Sequence, residues 1–123
     1  MPRPTKCRRV CCMPGTVEFA PVDSSCERAA VELTVDEYET IRLIDKEGLS
    51  QEECGRRMEI ARTTVQQIYT SARKKLADML VDGLPLKICG GQYRLCDEIN
   101  YCGCTNCRAR RRSKQRKLEE NKQ

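Results

Sequence analysis

The chain has 123 residues, a net charge of +5, ten cysteines, 4% aromatic residues and neither histidine nor tryptophan. A chain of this size and composition is expected to form one small domain with appendages around a modest core. Because it lacks histidine, a paired nucleophile and base, and a glycine-rich phosphate loop, the sequence argues against an enzyme.

The cysteine content has to be interpreted together with the expected compartment. No segment approaches the roughly 18 apolar residues of a membrane span, and no apolar run follows the charged N-terminus as in a signal peptide. We therefore expect a cytoplasmic protein. There, ten cysteines indicate metal ligands, redox centres or small buried side chains more than disulfides.

Positive charge is concentrated at the two ends of the chain. Residues 1–12 have a net charge of +4 and residues 108–123 of +6, whereas residues 13–107 have −5. Basic arms on a slightly acidic body indicate a polyanionic partner. For the C-terminal run alone, a solubilising tail is an equal alternative, and we expect residues 108–123 to be disordered.

The N-terminal segment 1–30 is predicted to be an extended, basic, cysteine-containing arm. Pro2 and Pro4 favour extended backbone at its start. A short arm of proline and arginine resembles those that enter a minor groove, and the alternative is a frayed terminus. The predicted DNA contacts of the arm are Arg3, Arg8 and Arg9. Residues 16–22 are predicted to form one short strand.

Residues 31–83 are predicted to form a three-helix unit. Thr34 followed by Glu37 is a capping box, and Ser50 followed by Glu53 repeats it after Gly48. A third helix is predicted after a short break and ends before a glycine. The three predicted helices span residues 35–47, 51–58 and 62–81.

The first two helices are predicted to be scaffold. Asp36, Glu37 and Glu39 place negative charge in the first turns of helix one, which suits the helix dipole. The same charge should repel DNA, so this face is expected to lie away from the phosphates. In helix two, Cys54 is predicted to be a small buried residue, and Gly55 to allow close helix approach.

The third helix combines an apolar stripe with a polar front face. The predicted buried stripe is Val65, Ile68, Tyr69, Ala72, Leu76, Met79 and Leu80, at spacings of three and four. Side chains suited to base edges or phosphates are Arg62, Thr63, Thr64, Gln66, Gln67 and Thr70. Cations suited to phosphates follow at Arg73, Lys74 and Lys75. This arrangement is typical of a recognition helix that enters the major groove.

The segment 84–107 is predicted to be a short hairpin followed by a cysteine-rich loop. The hairpin strands are predicted at 86–88 and 93–95, around Gly90 and Gly91. Cys96, Cys102, Cys104 and Cys107 then follow in a C-x5-C-x-C-x2-C pattern. Four thiolates this close can hold one Zn²⁺ ion or an iron–sulfur cluster. Free thiols or a redox disulfide are the alternative.

The remaining cysteines are harder to assign. A second group consists of Cys7, Cys11, Cys12 and Cys26. Adjacent Cys11 and Cys12 do not suit one mononuclear site, because neighbouring side chains of an extended chain diverge. This group can complete the C-terminal site, form a weaker site of its own, or bind nothing, and Cys89 is predicted to be structural. Metal bound beside the basic arms would make DNA binding responsive to metal or redox state.

The three-helix unit resembles the DNA-binding region 4 of bacterial sigma factors. The resemblance rests on Leu49-Ser50-Gln51-Glu52-Glu53 and Arg62-Thr63-Thr64-Val65, among other segments. Two positions depart from that pattern: Glu59 stands where glycine is usual, and Ala61 where a capping serine is usual. The first costs about 1 kcal/mol in a left-handed conformation, and the second leaves helix three without its usual cap.

The whole chain, up to about residue 107, resembles the domain-of-unknown-function family 134, a family of small prokaryotic predicted DNA-binding proteins. The segments that carry this resemblance are Met1-Pro2-Arg3-Pro4, Arg8-Arg9-Val10, Leu49-Ser50-Gln51-Glu52-Glu53, Ser71-Ala72-Arg73-Lys74-Lys75 and Gly90-Gly91-Gln92-Tyr93. The resemblance implies a mainly α fold with a helix–turn–helix.

Together these features predict a DNA-binding transcriptional regulator. Its partner would be double-stranded DNA, read in the major groove by helix three. One such helix reads only a few base pairs, so we expect a homodimer. The alternative is a metal-handling or adaptor protein whose helices dock a protein partner, for which DNA binding would lack salt dependence.

Overall fold

The computed structural model of this chain describes residues 8–22 and 28–95. These residues form a mixed fold of three helices and small sheets. The strands are β1 (Arg8–Val10), β2 (Glu18–Phe19), β3 (Val31–Leu33), β4 (Leu86–Ile88) and β5 (Tyr93–Leu95). The helices are α1 (Val35–Ile41), which continues as a π-helical segment over Arg42–Lys46, α2 (Gln51–Met58) and α3 (Arg62–Asp82). All three predicted helices are therefore present, and none of the described helices is long and apolar enough to cross a membrane.

The capping box predicted at Thr34 is complete, and Ser50 makes the side-chain half of the second one. The Thr34 hydroxyl accepts a hydrogen bond from the Glu37 amide at 3.3 Å, and the Glu37 carboxylate accepts one from the Thr34 amide at 2.9 Å. Ser50 accepts from the Glu53 amide at 3.1 Å at the start of α2. Each bond satisfies a first-turn amide that has no partner inside its helix, and so sets where the helix begins.

The strands form two sheets, and the predicted β4–β5 hairpin is wrong. In the first sheet β1 runs parallel to β5, with Val10 opposite Leu95. In the second, β4 lies between β2, which is antiparallel to it, and β3, which is parallel. Leu86 and Ile88 of β4 are buried, whereas Lys87 between them is exposed. β4 and β5 therefore do not pair with each other, because β5 pairs with β1 and β4 pairs with β2 and β3. The strand predicted over 16–22 is shorter, at Glu18–Phe19.

Among the described residues, the buried side chains form two core clusters, and the neighbouring residues Val10 and Cys11 belong to different ones. The first contains Cys11, Leu43, Cys54, Met58 and Val65. The second contains Val10, Leu33, Val35, Ala72, Leu86 and Ile88. Val10 and Cys11 thus tie the segment predicted as an N-terminal arm into the core.

The buried stripe of α3 is shorter than predicted. Val65, Ile68 and Ala72 are buried, as expected. Leu80, however, is 77% exposed. It lies eight residues after Ala72, which rotates it about 80° around the helix axis and out of the stripe.

Candidate nucleic-acid interface

The connection between α2 and α3 is a three-residue turn. Glu59 caps the C-terminus of α2 in the left-handed conformation, with φ of 59°. The Ile60 amide donates to the Gly55 carbonyl at 2.9 Å, which folds the turn back on α2. α3 then begins after Ala61, whose side chain makes no capping hydrogen bond. The two departures noted in the sequence therefore fall on a left-handed residue and on an uncapped helix start.

Gly55 allows the turn to pack closely against α2. A Cβ atom at this position would lie 2.8 Å from the Ile60 carbonyl oxygen and 3.5 Å from Val65 Cγ2. The first contact is with backbone, so it cannot be relieved by rotating a side chain. The close helix approach predicted from the sequence is confirmed.

We expect Gly55→Ala to lower the free energy of unfolding by about 1–3 kcal/mol, because the added methyl group displaces the turn. Urea denaturation in reducing buffer measures the change. Arg56→Ala, at the exposed next position, is the control and should stay within about 0.5 kcal/mol of the parent chain. A Gly55→Ala protein as stable as this control would contradict the close packing.

The first half of α3 presents most of the predicted contact residues on one side. Thr63, Gln66, Gln67, Thr70 and Lys74 are exposed and line a shallow groove with Ser71. The predicted contacts on either side of this groove are Arg62 and Arg73, both exposed, and Thr64, which is half-buried. The structure therefore brings these predicted residues together on a single helix.

The three predicted phosphate-binding cations of α3 differ in their surroundings. The Arg73 guanidinium lies 5.3 Å from the centroid of the Tyr69 ring and is exposed. Lys74 Nζ is 2.8 Å from Asp78 Oδ1, and this hydrogen bond with the nearby negative charge raises the pKa of Lys74. Lys75 Nζ instead donates to Glu37 Oε1 at 2.6 Å, so its charge is engaged by α1. Lys74 stays exposed despite its pair with Asp78, so Arg73 and Lys74 are the accessible cations of this turn.

Arg8 and Arg9 are also engaged within the body of the protein. Arg8 Nε lies 3.6 Å from Asp36 Oδ2. Arg9 Nε donates to the Arg57 carbonyl at 2.8 Å, and Arg9 Nη1 lies 3.0 Å from Glu59 Oε1. Both side chains are mostly buried. They therefore connect β1 to α1 and to the α2–α3 turn, while Arg3 lies outside the described residues.

The carboxylates of α1 are buried, which the sequence did not indicate. Glu37 accepts hydrogen bonds from Lys75 at 2.6 Å and from Ser71 at 2.6 Å. Glu39 accepts from the Cys11 amide at 2.5 Å and pairs with Arg42. Burial alone would raise the pKa of Glu37, but the hydrogen bonds from Lys75, Ser71 and Thr34 outweigh it and lower that pKa. The negative charge of α1 is therefore largely neutralised by internal partners.

A cleft under the α2–α3 turn adds one residue that the sequence analysis missed. Its lining includes Arg56 of α2 together with Arg62, Thr64 and Gln67 of α3. Arg56 is exposed, and its pair with Glu52 is long, at 4.0 Å. In the sequence, the Arg56-Arg57 pair near the end of helix two is the pattern that could have indicated this residue. Arg56 therefore adds a cation beside the start of α3, in a cleft that Glu52 and Glu59 also line.

The described cysteines are not joined in disulfides. Cys11 and Cys54 are buried, whereas Cys12 and Cys89 are half-buried. Burial, with the negative charge of Glu39 nearby, raises the pKa of Cys54 to about 12, which keeps it a thiol. Within residues 8–22 and 28–95, no group of three or more potential metal-ligating side chains comes together. The other predicted ligands, Cys7, Cys26, Cys96, Cys102, Cys104 and Cys107, lie outside the described residues.

Comparison with known proteins gives one family and several close relatives. The family model described as "Protein of unknown function DUF134" matches residues 1–96. A "UPF0251 protein" of Desulfitobacterium hafniense (strain DSM 10664 / DCB-2) is 58% identical over 114 residues, which cover 91% of this chain and 90% of that protein. A "UPF0251 protein" of Caldicellulosiruptor bescii is 47% identical over 107 residues, covering 87% of this chain and 74% of that protein. No solved structure matches this chain.

Proposed function

This chain belongs to the DUF134 family, as its sequence predicted, and we propose that it is a DNA-binding regulator that reads the major groove with α3. In this proposal α2, the turn and α3 form a helix–turn–helix like that of sigma-factor region 4. The observation that carries the proposal is the polar face of α3, formed by Thr63, Gln66, Gln67 and Thr70, which the described residues leave uncovered. The opposite face of the same helix is held by the core.

Base readout is assigned to the amides of Gln66 and Gln67. A glutamine amide can donate and accept at the same time, which matches the N6 and N7 atoms of adenine in the major groove. Thr63 and Thr70 are short enough to let the helix approach the bases. This division makes the amides the source of sequence preference.

Phosphate contacts are assigned to the accessible cations around that face. Arg62, Arg73 and Lys74 come from the predicted set, and Arg56 is added from α2. Lys75, Arg8 and Arg9 have internal partners: Lys75 joins α3 to α1, Arg8 joins β1 to α1, and Arg9 joins β1 to the turn before α3. Arg3 and the basic tail would add attraction that does not depend on sequence.

The proposal is tested by selecting binding sites from random DNA and then titrating the selected duplex at several salt concentrations. We expect a selected site with two half-sites, consistent with a homodimer, and a logarithmic affinity that falls steeply with salt. A salt slope near zero, with no enriched site, would favour the alternative of a protein-docking adaptor.

Lys74→Ala is expected to weaken binding to the selected duplex and to random duplexes by a similar factor. The reason is that a phosphate contact carries no sequence information, and its loss should reduce the salt slope by about one. Fluorescence anisotropy at a series of salt concentrations measures both effects. Lys87→Ala, which removes an exposed lysine from β4, is the matched control and should leave the slope unchanged. A loss confined to the selected duplex would contradict the assignment of Lys74 to a phosphate.

A further inference from the structure

Tyr69 links α3 to the π-helical segment that follows α1. Its hydroxyl donates a hydrogen bond to Asp45 Oδ1 at 2.8 Å, and Asp45 lies within that segment. The Glu47 amide donates to the Arg42 carbonyl, five residues before it, at 2.9 Å, which is the bonding pattern of a π-helix. The wider turn directs Asp45 differently from a continued α-helix. The link therefore involves a helix irregularity of a kind often found at functional sites.

The Tyr69 ring contacts Arg73, one turn further along α3. The Arg73 guanidinium carbon lies 5.3 Å from the ring centroid, within the distance of about 6 Å at which a cation–π attraction acts. Burial, then the hydrogen bond to Asp45 and the charge of Asp45, raise the pKa of Tyr69. The phenol therefore stays protonated at neutral pH and keeps its bond. The ring is held at its hydroxyl by one helix while it contacts the cation of another.

Arg73 projects from the same side of α3 as Gln66. Seven residues separate the two, which is nearly two full turns, and both side chains are exposed. A contact with a ring, unlike an ion pair, does not neutralise the charge of Arg73. Lys74 differs in this respect, because its ammonium group is paired with Asp78. Arg73 thus combines a restricted position beside a glutamine of the polar face with a charge that is free to attract an anion.

We propose that Tyr69, held by Asp45, is a positioning residue that orients Arg73 toward a DNA phosphate. This role rests on the proposed function, in which α3 lies in the major groove. A side chain that is restricted before binding loses less conformational freedom when it makes its contact, which is worth about two- to tenfold in affinity. Tyr69 acts through Arg73, and a phosphate carries no base information. The effect should therefore be the same on every DNA sequence.

The test measures binding of the full chain to the selected and random duplexes at several salt concentrations, by fluorescence anisotropy. Tyr69→Leu, which removes the ring, should weaken binding to both duplexes by about two- to tenfold. The salt slope should stay unchanged, because no cation is lost. Tyr69→Phe, which removes only the hydroxyl, should show a smaller loss of the same kind. Tyr93→Phe, at another half-buried tyrosine, is the matched control and should bind like the parent chain.

A double-mutant cycle separates positioning from a general effect on the structure. Arg73→Ala should weaken binding and reduce the salt slope by about one. In the Arg73→Ala background, Tyr69→Leu should cause no further loss, because the side chain that it orients is gone. An equal loss from Tyr69→Leu with and without Arg73 would overturn the proposal. The same holds for a Tyr69→Leu chain that binds like the parent.

A measurement without DNA distinguishes this role from the proposed function. In the free full chain, ¹⁵N relaxation of the Arg73 Nε–Hε group should show restricted motion, and that restriction should be lost in Tyr69→Leu. Arg56, which is exposed and whose pair with Glu52 is long at 4.0 Å, is the reference for a mobile arginine. An Arg73 as mobile as Arg56 would overturn the positioning role even where DNA binding stands. A restricted Arg73 in a chain without salt-dependent DNA binding would instead contradict the proposed function, and with it the phosphate contact.

Discussion

Glu37→Ala is expected to lower the free energy of unfolding by about 3 kcal/mol, because it leaves Lys75 without its partner in a partly buried position. The Glu37 carboxylate accepts from Lys75 and Ser71 of α3 and from the Thr34 amide at the start of α1. It therefore connects the N-terminus of one helix to the middle of another. Removal of a fully buried partner costs about 3–5 kcal/mol. The low end applies because the Lys75 side chain is 33% exposed.

Denaturant unfolding in reducing buffer at neutral pH measures this effect. Glu32→Ala removes an exposed carboxylate from β3 and should change stability by less than about 0.5 kcal/mol. A loss below about 1 kcal/mol in Glu37→Ala would mean that the bonds to Lys75 and Ser71 contribute little.

The same carboxylate predicts a dependence on pH. Its pKa in the folded chain is lowered below the ordinary value of 4.5 by the bonds from Lys75, Ser71 and Thr34, which outweigh burial. A lowered pKa means that its stabilising effect is complete above the unfolded-state pKa and is lost as the pH falls through the lowered value. The stability difference between the parent chain and Glu37→Gln should therefore be constant near neutral pH and shrink in acid. A difference that grows as the pH falls below 4.5 would contradict the direction of the shift.

The double variant Gln66→Ala/Gln67→Ala is expected to reduce discrimination between the selected site and random DNA about 100-fold, with a smaller loss of affinity for random DNA. Each well-placed bidentate contact provides about 1–3 kcal/mol of discrimination, and two such contacts at the middle of that range would exceed a factor of 100. Both side chains are exposed on the first half of α3 and can be removed without disturbing the core. Competition binding between selected and random duplexes gives the ratio directly.

Two variants separate base readout from other causes. Gln92→Ala removes an exposed glutamine outside α3, where it accepts one hydrogen bond from Arg8 at 3.3 Å, and should leave discrimination unchanged. Lys74→Ala should change affinity but not discrimination. Equal losses on selected and random DNA in the glutamine variant would show that α3 does not read bases through these amides.

The α2–α3 turn shows how the structure compensates for a residue that is unfavourable by itself. Glu59 adopts a left-handed conformation, which costs a non-glycine residue about 1 kcal/mol or more. Its carboxylate is bound by Arg9 and Arg94, which are opposite each other on β1 and β5. A glycine would relieve the backbone cost but could not make this link. The β1–β5 sheet thus holds the turn that precedes α3.

Local sequence signals were sufficient to predict the helices. The capping pairs at Thr34 and Ser50 and the glycine after α3 act over three or four residues, so neighbouring positions alone determine where α1 and α2 begin and where α3 ends. The polar front of α3 follows from the same periodicity that buries Val65 and Ile68. For this reason most of the candidate interface on α3 could be predicted without a structure.

Only the tertiary structure decided which distant segments are partners. The pairing of β1 with β5, the bond between Glu37 and Lys75, and the bridge from Arg9 to Glu59 each join residues that are far apart in the sequence. No local pattern predicts such contacts, because they depend on how the core brings helices and strands together. The sequence by itself determined which residues are charged. The packing decided which of those charges are neutralised internally and which remain exposed.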